Sequence, residues 1–83
     1  MTGRRDRPDW ERELRAALAR LDANLVLVYD AWHGHFGGEA SAPQLQRYLA
    51  SRGYAWALVS DETVRRWQRK IEAEVERHSP ETA

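Results

Sequence analysis

Ser60-Asp61-Glu62-Thr63-Val64-Arg65-Arg66-Trp67-Gln68-Arg69-Lys70-Ile71 decides how this chain is read. Ser60 is placed to cap a helix, and Val64, Trp67, Ile71 and Val75 then recur at helical spacing. Turning by about 100° per residue with that stripe inward points Arg66, Arg69 and Ala73 outward, with Arg65 and Lys70 flanking them. The spacing predicts a helix from Asp61 to about His78, and Pro80 blocks its extension. A helix anchored along one face and cationic on the other suits the major groove of DNA.

Upstream of Ser60, Ala55-Trp56-Ala57-Leu58-Val59 forms an apolar connector. Gly53 follows Arg52 as a helix-ending residue, with Tyr54 placed to pack back on Leu49 in a Schellman-type end. The helix it ends starts with Ser41 as N-cap and Pro43 in the first turn, and Leu45, Tyr48 and Leu49 form its buried face. Gly37-Gly38 ends the preceding segment. There Leu25, Val28, Tyr29, Trp32 and Phe36 continue in phase the stripe begun by Trp10, Leu14, Ala17, Leu18 and Leu21. Either one helix runs from residue 9 to about 36, or it breaks near Asp22-Ala23-Asn24; a short buried strand at 25–29 is the remaining alternative. Asp9 caps the first helix, expected over 9–22, with Glu11 and Arg15 placed as an i,i+4 pair. Residues 1–8 read as a flexible basic arm, residues 9–78 as one helical domain and residues 79–83 as a disordered tail.

Eighty-three residues leave room for a single core. A domain this short buries only about 60–65% of its unfolded surface. The chain has no Cys, which removes disulfides, thiol catalysis and Cys-ligated zinc. No apolar run approaches the roughly 18 residues of a membrane span, and a cytoplasmic protein is expected. Formal net charge is +0, but its distribution is uneven. Arg4, Arg5 and Arg7 crowd the start, residues 65–70 hold four cations and no anion, and Glu72, Glu74, Glu76 and Glu81 come after them. The local field, more than the total, steers a polyanion.

The order helix, Gly-Gly loop, short helix, turn, cationic helix resembles the helix-turn-helix DNA-binding domains, in particular those of small bacterial regulators and phage terminase small subunits. The resemblance rests on Tyr29, Gly37-Gly38, Leu45, Leu49 and the Ser60-x-x-Thr63-Val64-x-x-Trp67 string, and covers roughly residues 29–71. The chain departs from that pattern at Gln46 or Arg47, where such units carry a small Ala, and in a Gly53–Val59 link longer than the usual turn. The resemblance implies an all-α helix-turn-helix domain of three to four helices with a long C-terminal recognition helix. It also implies that Arg66 and Arg69 contact guanine, flanked by Arg65 and Lys70, with Ser60 at the groove entry. Arg47, Arg52 and the Arg4-Arg5-Arg7 arm would then hold backbone phosphates.

Two rival readings use the same residues. Asp61/Arg65, Glu62/Arg66, Arg69/Glu72 and Lys70/Glu74 can form the ladder of an ordinary solvated helix. Alternatively, the chain is a small helical adaptor that binds another protein through an exposed Trp56 and the acidic end of its last helix. Trp67 is expected to lock that helix into the core, and Val75 with Glu72, Glu74 and Glu76 offers a dimer seam. His33 and His35, with Asp30, Glu39 and His78, fall short of a zinc pattern, and no catalytic constellation is present. The expectation is a sequence-specific double-stranded DNA-binding homodimer, a transcriptional regulator or a phage- or plasmid-type DNA-handling factor. Neither cofactor, metal nor enzymatic activity is expected.

Overall fold

Asp22 divides the apolar first half of the chain into two helices. The computed structural model describes residues 6–78, with side chains from Trp10 onward. In it α1 spans Asp6–Leu21 and α2 spans Ala23–Tyr29. Asp22 is extended (φ −168°, ψ 122°), and its carboxylate accepts from the Asn24 amide at 3.0 Å. Its own amide still donates to the Leu18 carbonyl at 2.9 Å. One residue thus ends α1 and caps α2. The helix reading of 25–29 holds, and no strand occurs among the described residues.

The first helix begins earlier than its Asp9 cap predicts. Residues 6–8, read as part of the arm, belong to α1, because Pro8 falls in a first turn that needs no amide hydrogen bond from it. Arg4, Arg5, the rest of residues 1–5, the tail at 79–83 and the side chain of Arg7 lie outside the described residues.

The fold-back at Asp22 lays α2 along α1, and this overturns the expected Glu11–Arg15 pair. Arg15 instead grips Asp30 with both terminal nitrogens, at 2.7 and 3.1 Å, and lies over the Tyr29 ring at 5.7 Å. Glu11 accepts from the Tyr29 hydroxyl at 3.2 Å. Tertiary partners outcompete the i,i+4 neighbour because a bidentate guanidinium–carboxylate pair is geometrically better.

Past Tyr29 the helix widens into a π-helical turn, Asp30–His35, that no feature of the sequence announces. The Phe36 amide reaches back five residues to the Ala31 carbonyl at 3.2 Å. Trp32 pins the loop beyond this turn. Its indole N–H donates to the Gly38 carbonyl at 3.0 Å, and its carbonyl accepts from the Gly38 amide at 2.8 Å. Gly37 and Gly38 turn the chain at φ 66° and 90°.

Helix α3 (Ala42–Ser51) starts at Ser41 in a capping box with Gln44 and stops in a Schellman end. The Gly53 amide (φ 95°) donates to the Ala50 carbonyl at 3.0 Å, and the Tyr54 amide to the Leu49 carbonyl at 3.1 Å. A single 3₁₀ turn at Ala55–Ala57 then leads to α4, Asp61–His78.

α4 packs against α1, α2 and α3. The centre is built from Leu14 and Leu18 of α1, Leu25 and Val28 of α2, Leu45 and Leu49 of α3, and Val64 and Ile71 of α4. Each such side chain contributes about 1.5–3 kcal/mol by leaving water. Trp67 packs half-buried on this core, edge-to-face with Trp56 at 5.8 Å, as a locking residue should. No helix among the described residues is long and apolar enough to cross a membrane.

Candidate nucleic-acid interface

Ser60 aims α4. Its hydroxyl accepts from the Thr63 amide at 3.2 Å and lies 3.0 Å from the Thr63 hydroxyl, so the helix starts at a fixed residue. Two glutamine bonds hold its approach. Gln46 donates its amide N–H to the Val59 carbonyl just before Ser60, and Gln68 donates to the Ala40 carbonyl at 3.1 Å. Gln46 thus ties α3 to the link that follows it. The sequence reading missed both glutamines, and the out-of-pattern residue was the signal available for Gln46.

With Val64 and Ile71 buried and Trp67 and Val75 half-buried, Arg65, Arg66, Arg69 and Lys70 all stand exposed on one helix. The expected ladder along it does not form. Arg69 reaches back two turns to Glu62 at 3.0 Å rather than forward to Glu72. That contact also holds the Glu62 carboxyl below its usual range, chiefly through the Arg69 hydrogen bond and charge, with help from Arg66 and Arg65. Among the described residues, Arg65, Arg66 and Lys70 make no hydrogen bond or ion pair.

Glu74 is the clearest correction on this helix. It is buried (7% exposed), so it is neither the Lys70 partner nor part of an outward seam. Its oxygens meet Arg77 at 2.8 Å and His78 at 3.4 Å, the i+3 and i+4 neighbours. Val75 packs half-buried against the core beside it.

The other cations are dispersed. Arg47 is exposed on α3. Arg52 lies over the Tyr48 ring at 5.5 Å, in a groove of about 370 Å³ whose walls include Leu27, Asp30, His35 and Tyr54 and no residue of α4. The structure thus gathers Ser60, Arg65, Arg66, Arg69 and Lys70 on one element and does not bring Arg52 to them. Trp56, which the adaptor reading takes as exposed, is half-buried between Tyr54 (5.6 Å) and Trp67 (5.8 Å). Leu58 (66% exposed) and Val59 (36%) face solvent in its place.

The histidines serve packing. His35 stacks on Tyr48 at 4.2 Å, and His33 lies beside Tyr29 and Trp32 at 4.9 and 4.7 Å. Although the outer edge of His33 is exposed, loss of water on its packed side pulls its pKa below the ordinary 6.5, against the opposing charges of Glu72 and Glu11. Asp30 is engaged by Arg15, and no three His, Asp or Glu side chains converge as a metal set among the described residues.

Comparison with known protein families, curated proteins and solved structures finds no match to this chain.

Proposed function

We propose that this chain binds double-stranded DNA through the exposed face of α4, in a helix-turn-helix arrangement of α3, an extended turn and α4. One observation carries the reading: Arg65, Arg66 and Lys70 stand exposed and unpaired among the described residues, on a capped helix whose opposite face is buried. Like charges at i,i+4 (Arg66 and Lys70) are mildly destabilising on a bare helix, by a few tenths of a kcal/mol, and an anionic partner removes that cost. Arg66 and Arg69 read base edges, with Arg69 first released from Glu62; Arg65 and Lys70 hold the flanking phosphates. Two copies supply the affinity that a single small domain lacks, and the setting is a cytoplasmic regulator or DNA-handling factor.

The test is fluorescence anisotropy against a pool of random-sequence duplexes, titrated from low to physiological salt. Binding should weaken steeply with salt as counterions return to the phosphates. The triple variant Arg65→Ala, Arg66→Ala, Lys70→Ala should flatten the log–log salt slope by about 1.8, for two lost phosphate contacts at about 0.9 each. Absence of binding by the folded protein at low salt would refute the proposal.

A second reading has its own observation. Leu58 and Val59 expose apolar surface in the connector, and a protein-binding adaptor would use that edge in place of the half-buried Trp56. An apolar contact of that kind responds little to salt, which separates the two readings.

A further inference from the structure

The outward line of α4 carries a carboxylate where an ordinary polyanion-binding face would not. Glu62, Arg66 and Arg69 fall at i, i+4 and i+7, so they stack along one edge of the helix. Glu62 bonds Arg69, two turns on, at 3.0 Å and makes no hydrogen bond to the nearer Arg65 or Arg66. Both side chains remain largely exposed, 58% for Glu62 and 60% for Arg69, so the contact breaks at little cost. We infer that Glu62 is a selectivity element of this face: it occupies Arg69 and opposes phosphate in the free protein, and on DNA it accepts from the exocyclic amine of a cytosine or adenine while Arg69 swings to an adjacent base. The inference rests on the DNA-binding reading of α4 above.

The chemistry distinguishes two kinds of duplex. At a site that presents only phosphates or carbonyl acceptors to Glu62, its charge is repelled and Arg69 stays occupied. At a site that presents an amino group in the major groove, the carboxylate gains a donor and Arg69 is released. A carboxylate at this position therefore lowers affinity for DNA in general and restores it only at matching sequences.

The experiment compares the full chain with Glu62→Gln, using random-sequence duplexes across a salt series and then selection of bound sequences from the same pool. Glu62→Gln should bind the random pool about fivefold tighter at physiological salt, with a slope steeper by about 0.9, the value of one added phosphate contact. Its selected sites should lose a cytosine preference present in the wild type, whereas a glutamine can still read adenine. Far-UV circular dichroism checks that helicity is kept. Loss of a merely structural carboxylate in the first turn of α4 would weaken the helix and hence binding, so the sign of the change separates the two roles. A wild type that binds while Glu62→Gln binds equally or more weakly overturns the inference and leaves the α4 reading standing. If neither protein binds at low salt, the reading itself falls, and the inference with it.

Discussion

Ionising Tyr29 should pull α1 and α2 apart. Its ring is buried (5% exposed), and its hydroxyl donates to Glu11. Burial first, and then the Glu11 charge and hydrogen bond, push its pKa from 10.0 up to about 12, with Arg15 opposing. A raised pKa means that the folded state keeps a proton the unfolded chain gives up near pH 10. The stability this contributes is therefore complete below about pH 10 and is lost as the pH rises towards about 12. Two pKa units correspond to at most about 2–3 kcal/mol. That is a large share of the roughly 4–12 kcal/mol expected for a domain of this length. Tyr29→Phe removes the titration and also the hydrogen bond, worth about 0.5–1.5 kcal/mol. The variant should thus be less stable than wild type at pH 8 and more stable at about pH 11.5, with the two curves crossing between about pH 10 and 11. Urea denaturation followed by far-UV circular dichroism across that range gives both curves, and subtracting them removes the other groups that titrate there. Curves that stay parallel up to about pH 11.5 would refute the account of Tyr29 as a buried, carboxylate-facing phenol.

Three further outcomes test the backbone and the core. Gly53→Ala should cost about 1–2 kcal/mol by thermal denaturation, because φ is 95° and a Cβ there meets nothing within 4 Å, leaving backbone strain as the only penalty; Gly34→Ala, equally open but without positive φ, should instead gain about 0.5–1 kcal/mol. Ile71→Ala should cost about 2–5 kcal/mol, since Ile71 is fully buried where α4 meets the core, and would leave the domain close to unfolding at room temperature in a urea titration.

What could be read from the sequence was local. Ser41, Ser60 and Gly53 act within three or four residues of themselves, so cap chemistry identifies them without knowledge of the fold. The stripe of Val64, Trp67, Ile71 and Val75 reports the buried face of α4 for the same reason. The break at Asp22 was ambiguous because the apolar period continues in phase across it, and only the extended φ of that residue distinguishes two helices from one. The π turn was hidden because Trp32 stabilises it through a bond to Gly38 rather than through a local preference. Arg15, Glu11, Gln46 and Gln68 all choose partners 13 to 28 residues away, and spacing rules cannot see such contacts. Glu74 looked exposed because acids usually are; Arg77 and His78 at i+3 and i+4 were the signal that it had partners and could be buried.

The same contacts bear on how a chain of zero net charge would meet the polyanionic partner proposed above. Several carboxylates that balance the total are already committed elsewhere. Asp30 answers Arg15, Glu11 accepts from Tyr29, and Glu74 lies buried between Arg77 and His78. Arg65, Arg66 and Lys70 make no hydrogen bond or ion pair among the described residues, so their charges stay open to solvent on α4, with the exposed Glu72 and Glu76 further along the helix. An approaching phosphate responds to charges within about a Debye length, roughly 8 Å at physiological salt, and not to acids on the far side of the fold. Among the described residues, Glu62 is the acid ion-paired within that cluster, and it would compete with a phosphate for Arg69. Under the DNA-binding role proposed above, selectivity on this face would turn on the exposed Glu62–Arg69 pair, whose strength falls with the same salt that weakens phosphate binding.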